Sequence, residues 1–223
     1  QQHQACELSL QLDCAAAIFS SCARDFTLRR AGYLQQGTGQ QLTTIINPLP
    51  HLLVLGNGMD MIPLCQLAIA LGWRVTLADQ RVTPQKRENF PADISVFNQS
   101  AEHLSAHYLQ QVDAIVIAHH NMNLDAAAIA NLQTRDLQNP YMGLLGPAQR
   151  KAEVLALAGL TEMQLRYPIA GPMGLALGGD LPESIALSVL AECHARLFGS
   201  SALPLGVFAA QNQSTSLFSL VNN

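Results

Sequence analysis

The amino-acid sequence predicts an α/β fold, a Rossmann-like parallel sheet with helices on both faces, from three observations. Residues 52–55 are four consecutive apolar residues, which is typical of a buried parallel strand. Gly56-Asn57-Gly58 interrupts this strand just before a helical pattern begins. Asp79 ends the next apolar strand, 23 positions after Gly56. Dinucleotide-binding folds place there the carboxylate that binds a ribose hydroxyl.

The glycine turn is the predicted phosphate site. Gly56 permits a tight turn, and Gly58 lets backbone N–H groups approach a pyrophosphate at the positive end of the next helix. Met61 replaces the third glycine of the fingerprint, and a long side chain there should hold the helix off the strand or force another phosphate path. Met59 and Asp60 crowd the same turn. The prediction therefore depends on free backbone amides at residues 56–60.

The composition predicts a compact globular protein. The chain has 223 residues, of which 49% are hydrophobic and 13% charged. A net charge of −4 argues against a nucleic-acid surface, which needs clustered Lys and Arg. No apolar run reaches the roughly 18 residues of a membrane span. The beginning of the sequence lacks a signal pattern, so we expect a cytoplasmic protein.

The five cysteines form no CxxC pair. Cys65 and Cys193 fall on apolar helical stripes, which predicts buried, reduced thiols. Cys6, Cys14 and Cys22 are spaced by eight residues, which suggests a metal or sulfur-relay site. No histidine cluster completes a tetrahedral ligand set near them, so we predict no metal site.

Residues 1–50 are predicted to form a helix and hairpin segment that leads into the Rossmann domain. Residues 1–30 are compatible with a helix centred on residues 15–19. Residues 31–47, rich in Gly, Gln and Thr, indicate a hairpin or loose strands.

Residues 51–199 are predicted to form the Rossmann-like nucleotide-binding domain, and residues 200–223 a surface tail. Mainly apolar runs predict its buried strands, and Gly or Pro residues separate several of them from helical patterns. Pro182 and Glu183 begin a strongly amphipathic final helix. The predicted strands are 73–78, 93–97, 112–118 and 141–145; the predicted helices follow Gly58, cover 101–109 and 121–132, begin near Ala148 and cover 183–197; residues 82–91 and 171–179 are predicted loops.

Four segments with polar or glycine residues follow the predicted strands. Because ligands bind outside the carboxyl ends of parallel strands, where the strand order reverses, we expect these segments to form one cleft. Arg150 and Lys151 either hold a phosphate beside it or form a solvated charged face. The predicted cofactor-binding residues are Gly56, Asn57, Gly58, Met59, Asp79, Arg81, His119, His120, Asp125, Gly143 and Gly146.

Several of these side chains also have an ordinary structural interpretation. His120 is the one candidate catalytic residue, a proton-transfer group, or it ties its loop by a backbone hydrogen bond. For His119, the structural role of tying the loop is favoured over ligand binding. Asp125 either binds a ligand hydroxyl or is an acid favoured in the first turn of a helix. Arg81 either meets a 2′-phosphate, as in NADP binding, or pairs with Asp79, and the pairing is favoured.

Five short motifs follow one another in a fixed order. They are the glycine turn 56–59, Asp79-Gln80-Arg81, His119-His120-Asn121 through Asp125, Gly143-Leu144-Leu145-Gly146-Pro147 through Arg150-Lys151, and Gly174-Leu175-Ala176-Leu177-Gly178 through Pro182-Glu183 to Ala191-Glu192. Together they resemble the Rossmann domain of the XdhC/CoxI family, the xanthine dehydrogenase accessory proteins. The family's N-terminal domain is not recognisable, so the chain is either a fragment or a divergent single-domain relative.

The resemblance implies a protein that binds molybdenum cofactor (molybdopterin), assists its sulfuration and delivers it to a molybdenum hydroxylase such as xanthine dehydrogenase. It also implies a cysteine desulfurase as a candidate partner and a homodimer as a plausible assembly. The sequence departs from the family pattern at four positions. Met59 replaces a histidine, His119 a threonine, Asn121 an aspartate and Pro147 a serine.

Two other functions fit the same fold. The first is an NAD(P)-dependent oxidoreductase, although no Tyr-x-x-x-Lys pair or similar acid–base dyad can be assembled near the cleft, which leaves His120 alone. The second is a degenerate relative that keeps the shell of the fold and acts as an interaction module. Met59, Met61, Asn121 and Pro147 support that version. It predicts a cleft that stays empty or is occupied by side chains.

Overall fold

The computed structural model describes residues 48–205 in full and, before them, the backbone of four strands. These strands form an antiparallel sheet in the order β2-β1-β4-β3. Their bounds are Cys6–Gln11 (β1), Ala16–Ser21 (β2), Gly32–Gln36 (β3) and Gly39–Ile46 (β4).

The pairing of β3 with β4 confirms the hairpin predicted for residues 31–47. The helix predicted within residues 1–30 is wrong for β1 and β2, which pair with each other. Residues 6–11 alternate apolar and polar side chains, which is the period of a strand, whereas the alanines at 15–17 favoured a helix locally. Pairing with β1 overrides that local preference. The rest of residues 1–30 lies outside the described ranges.

A second sheet of six parallel strands confirms the Rossmann-like α/β fold. The strands are His51–Leu55 (β5), Arg74–Ala78 (β6), Ser95–Phe97 (β7), Ala114–Ile117 (β8), Tyr141–Leu144 (β9) and Ile169–Ala170 (β10). Their order is β7-β6-β5-β8-β9-β10, so the direction in which strands are added reverses between β5 and β8.

Helices cover both faces of this sheet, and each face has its own buried hydrophobic cluster. The helices α1 and α6 pack on one face, and α4 and α5 on the other. In the described part of the chain, no helix has the length and apolar character needed to cross a membrane. The helices are Met61–Ala70 (α1), Pro84–Glu88 (α2), Ala106–Leu109 (α3), Met122–Thr134 (α4), Ala148–Leu157 (α5) and Pro182–Leu197 (α6).

Two predicted segments differ in detail from the structure. The helix expected at 101–109 is divided into a 3₁₀ turn, Ala101–His103, and the short helix α3. The Ser105 side chain accepts a hydrogen bond from the N–H of Tyr108 and so begins a new helix there. The loop expected at 82–91 contains α2, where Thr83 caps the helix and Pro84 occupies its first turn.

Met61 belongs to the hydrophobic core. Its side chain is 2% exposed and lies in the cluster that α1 and α6 form with the sheet. The residue that replaces the third glycine therefore fills space between α1 and the sheet and contributes almost nothing to the surface of the turn.

Gly56 brings the ends of β5 and β8 into close contact. It has φ +135°, and a Cβ atom at this position would overlap the carbonyl oxygen of Ala118. Any side chain here would force the two strand ends apart.

We expect Gly56→Ala to lower the free energy of unfolding by about 3 kcal/mol, because backbone strain adds to the steric overlap. Gly159→Ala is the matched control, since Gly159 has φ +68° with open space around it. Its left-handed conformation should cost about 1 kcal/mol. Urea unfolding followed by circular dichroism measures both, and equal effects would contradict the close approach of the two strands.

Candidate functional site

The predicted site residues gather at the carboxyl edge of the parallel sheet, around the gap between β5 and β8. They form two groups. One is a buried hydrogen-bonded network built on Asp79 and Asp125, and the other is the glycine turn with Asp60 and His120 above it.

The Asp79 carboxylate is buried and bound by Arg81. The backbone N–H of Arg81 donates to Oδ1 at 2.8 Å, its Nε donates to Oδ1 at 3.0 Å, and its Nη2 donates to Oδ2 at 2.6 Å. Burial raises the pKa of Asp79, but the hydrogen bonds and charge of Arg81 outweigh burial, so the pKa lies below its ordinary value. Since the carboxylate is 0% exposed, the pairing alternative describes this structure, and a ribose hydroxyl would have to displace Arg81.

Asp125 holds His119 in a fixed orientation. Its Oδ1 accepts from the backbone N–H of His119 at 3.0 Å and lies 2.9 Å from Nδ1 of the same residue. Because a carboxylate only accepts, Nδ1 carries the proton. Nη2 of Arg150 donates to Oδ2 of Asp125 at 2.5 Å. Burial raises the pKa of Asp125, but hydrogen bonds from His119 and Arg150 outweigh burial, so the net shift is downward.

Arg81 joins these pairs into one network, because its Nη2 also donates to the carbonyl oxygen of His119 at 2.9 Å. Two buried carboxylates thus face two guanidinium groups. The network fixes the ends of β6 and β8 relative to α4 and α5, so residues predicted as separate ligand contacts bind one another. Lys151, the neighbour of Arg150, pairs with Glu162.

Asp60 and His120 lie together over Gly58. Nε2 of His120 is 3.0 Å and 2.9 Å from the two carboxylate oxygens of Asp60. A Cβ atom at Gly58 would overlap both side chains, so they lie directly against this glycine. His120 is 60% exposed and has φ +53°, a left-handed conformation that is uncommon for a non-glycine residue. No local pattern in the sequence indicates this dyad, because its members are 60 positions apart.

The glycine turn presents unpaired hydrogen-bond donors. Among residues 48–205, the backbone N–H groups of residues 57–60 find no acceptor, whereas that of Gly56 donates to the carbonyl of Ala78. The next two N–H groups, of Met61 and Ile62, donate to carbonyls within the turn. Met59 is 65% exposed, so its side chain points away from the core.

Gly143 and Gly146 make room for neighbouring side chains. A Cβ atom at Gly143, on β9, would overlap the thioether of Met173. Gly146 has φ +133°, and a Cβ atom there would overlap the side chain of Arg150. Gly143 therefore accommodates a core methionine, and Gly146 accommodates the arginine that binds Asp125.

A pocket opens beside the Asp79 and Asp125 network. One wall comes from the first turns of α4 and consists of small apolar side chains. Another wall comes from the segment that follows β7. The residues that line the pocket are Asp79, Gln80, Ser100, Ala101, Glu102, His119, Leu124, Ala127 and Ala128.

The two described cysteine side chains belong to the hydrophobic cluster that α1 and α6 form with the sheet. Cys65 and Cys193 are free and 0% exposed, as predicted, and burial raises the pKa of each thiol to about 12. Within the described ranges, no group of three or more His, Cys, Asp or Glu side chains is arranged to hold a metal ion. The side chains of Cys6, Cys14 and Cys22 lie outside these ranges.

The sequence model of the XdhC Rossmann domain matches residues 52–193, the range that holds the six-stranded sheet and the site. The chain belongs to this family. The match confirms the resemblance found in the five sequence motifs.

Proteins similar to this XdhC domain include two from Bacillus species. A Bacillus subtilis protein named as a probable subunit of xanthine dehydrogenase is 35% identical over 148 residues, which are 66% of this chain and 43% of that protein. The chain thus spans less than half of this curated relative. A crystal structure described as a xanthine dehydrogenase from Bacillus halodurans superposes with a TM-score of 0.62 at 20% identity, covering 99% of this chain and 67% of the other. At that identity the likeness shows the fold.

The last family motif of this XdhC domain has a structural role in the chain. Glu192 of α6 accepts a hydrogen bond from the N–H of Gly174 at 2.6 Å, and the Ser188 hydroxyl donates to the carbonyl of Leu175. These bonds fasten the glycine-containing loop to α6.

We expect Asp125→Asn to lower the free energy of unfolding at pH 7 by about 3 kcal/mol, because the variant replaces one of the two accepting oxygens with an NH2 donor that faces His119 or Arg150. The pKa of this carboxyl is lowered from 3.8, so its contribution is complete above pH 3.8 and is lost as the pH falls through the lower folded value. The difference between variant and wild type should therefore shrink below pH 3.8. Urea midpoints measured from pH 7 to pH 2 test this.

Asp136→Asn is the control for this experiment. Asp136 also pairs with an arginine, Arg166, but its side chain is 73% exposed. The Asp136→Asn substitution should change the free energy of unfolding by no more than about 0.5 kcal/mol. A pH-independent loss in Asp125→Asn would contradict the assigned role of the buried carboxylate.

Proposed function

We propose that this XdhC Rossmann domain binds a phosphate-bearing heterocyclic cofactor, molybdenum cofactor or a related nucleotide, and assists the maturation of a molybdenum hydroxylase such as xanthine dehydrogenase. The observation that carries the proposal is the set of unpaired N–H groups at residues 57–60. They precede α1, at the point where the strand order reverses.

Backbone donors at the beginning of a helix favour an anion for two reasons. They donate hydrogen bonds that water otherwise accepts, and the helix dipole adds a positive potential. The position at the strand-order reversal is where open α/β sheets bind their ligands. Family membership and the name of the Bacillus subtilis relative support a xanthine dehydrogenase as the enzyme whose maturation the domain assists.

The pocket beside Asp79 suits a flat ring. Leu124, Ala127 and Ala128 offer an apolar wall without long side chains, while Gln80 and Ser100 offer hydrogen-bonding groups at its edge. A pterin and a purine both have planar faces and polar edges. We place the ring of the cofactor in this pocket and its phosphate at the glycine turn.

Recognition in this proposal is through the organic part of the cofactor. The described residues provide donors for phosphate and a wall for the ring, but no cluster of metal-ligating side chains. The buried, protonated thiols of Cys65 and Cys193 cannot carry sulfur to this edge. A cysteine desulfurase as sulfur donor, the homodimer and the domain limits at residues 50 and 199 remain predictions.

The test is equilibrium dialysis of the purified chain against molybdenum cofactor released from a molybdenum hydroxylase, followed by reconstitution of the cofactor-free enzyme. We expect retention of the pterin and faster recovery of activity than with free cofactor. The proposal would be refuted if the chain retained no pterin and did not change the rate at which enzyme activity recovers.

Asp60 should oppose anion binding, because its carboxylate lies at the same turn. We expect Asp60→Asn to tighten cofactor binding by about fivefold, the effect of removing one partly exposed charge. The Asp60 side chain makes no capping hydrogen bond to α1, so the helix should remain intact. Asp136→Asn, which removes an acid from an exposed ion pair, should leave the dissociation constant unchanged.

An NAD(P)-dependent oxidoreductase is the second candidate, and the Asp60–His120 dyad is the observation that favours it. A carboxylate that orients a histidine is a common arrangement for proton transfer, and the prediction from sequence found no such partner. In this case His120→Ala should lower turnover by about 100-fold or more. Asp60→Asn should also lower turnover, whereas it strengthens binding in the accessory role. Nicotinamide fluorescence titration followed by steady-state kinetics separates the two functions.

A further inference from the structure

Asn57 and Lys86 meet beside the glycine turn. Nζ of Lys86 donates to Oδ1 of Asn57 at 3.3 Å. Asn57 is more than nine-tenths buried, with 8% of its surface exposed, and its Nδ2 is buried without any hydrogen-bond partner. Asn57 belongs to the turn, whereas Lys86 lies on α2.

A buried amide N–H without an acceptor is unusual. Leaving such a donor unpaired costs free energy, so nearly all of them are satisfied in folded proteins. Nδ2 of Asn57 lies in the same turn as the unpaired backbone N–H groups of residues 57–60. An acceptor atom from a ligand would satisfy this donor.

The fold holds Lys86 in position beside this donor. The Thr83 hydroxyl accepts from the backbone N–H of Lys86 at 3.3 Å and caps α2. The guanidinium of the next residue, Arg87, donates to the carbonyls of Phe90, Pro91, Ala92 and Ile94. These bonds fix the helix that carries the ammonium group.

The backbone N–H groups and the Lys86 ammonium beside Asn57 are donors, and the acceptors near them are occupied. The Asp60 carboxylate at the same turn is paired with Nε2 of His120. Oδ1 of Asn57 already accepts from Lys86, and the Asp79 carboxylate is 0% exposed and bound by Arg81. A ribose diol needs an acceptor here, whereas a phosphate monoester brings only acceptor oxygens and negative charge. We propose that Asn57 and Lys86 form a subsite for the phosphomonoester of the ligand. This inference rests on the proposed function and specifies the chemistry of the bound group.

Two kinds of ligand carry this group, a nucleotide with a phosphate on its ribose and a pterin with a phosphate on its side chain. Isothermal titration calorimetry of the full chain compares NADP⁺ with NAD⁺, and the oxidised pterin of molybdopterin with its dephosphorylated form. Orthophosphate is titrated separately. We expect tighter binding of the phosphorylated member of one pair, and that pair identifies the source.

The variants are Lys86→Gln and Asn57→Asp. Lys86→Gln should weaken binding of the phosphorylated ligand about tenfold, which is the effect of losing one charge-assisted hydrogen bond. Lys86→Arg should restore part of the lost affinity. Asn57→Asp keeps the shape but replaces the donor with an anionic oxygen, so it should weaken binding further. Arg166→Gln, which removes a positive charge from an exposed ion pair with Asp136, is the control and should bind as wild type does.

The outcomes separate the subsite from the function. If wild type binds both members of each pair equally, or if Lys86→Gln keeps the preference, the subsite is overturned while cofactor binding stands. If wild type binds none of the organic probes, the proposed function is overturned. The titration with orthophosphate then tests the subsite independently. Orthophosphate binding that Lys86→Gln weakens supports the subsite, and unaltered or absent orthophosphate binding overturns it.

Discussion

The close approach of Gly56 to the carbonyl of Ala118 is the constraint on which the site depends. It brings the ends of β5 and β8 together without an intervening side chain. The glycine turn and residues 119–120, which follow these strands, therefore lie side by side. From this position His120 reaches over Gly58, and the carbonyl of His119 reaches Arg81. A wider gap between the strands would remove both contacts.

The buried carboxylates at this edge are paired with arginine side chains of the same chain, without any ligand. Asp79 and Asp125 are buried, and burial alone would favour their neutral forms. Hydrogen bonds from Arg81 to Asp79, and from His119 and Arg150 to Asp125, instead lower both pKa values and keep the carboxylates ionised. As a result the two acids are structural, and the groups that remain for a ligand are donors at the turn, which is suited to a phosphate.

The departures from the family pattern preserve local structure. Asn121 replaces an aspartate, yet its side-chain oxygen caps α4 by accepting from the N–H groups of Asn123 and Leu124 at 3.0 Å and 3.2 Å. His119 replaces a threonine and still supplies a hydrogen-bond donor, here to Asp125. Met59 replaces a histidine at an exposed point of the turn. The altered residues thus keep the framework of the cleft, and Asp60 with His120 covers Gly58 within it.

Local sequence patterns predict the parallel sheet, its helices and the edge at which the polar residues meet, because the order of apolar runs and glycine turns along the chain specifies the topology. These patterns failed for β1 and β2, since strand pairing overruled a local helix preference. They also do not indicate which polar groups bind each other. The pairing of Asp60 with His120, and of Asn57 with Lys86, joins residues distant in the chain, and such pairing depends on distances that exist only after the sheet has formed.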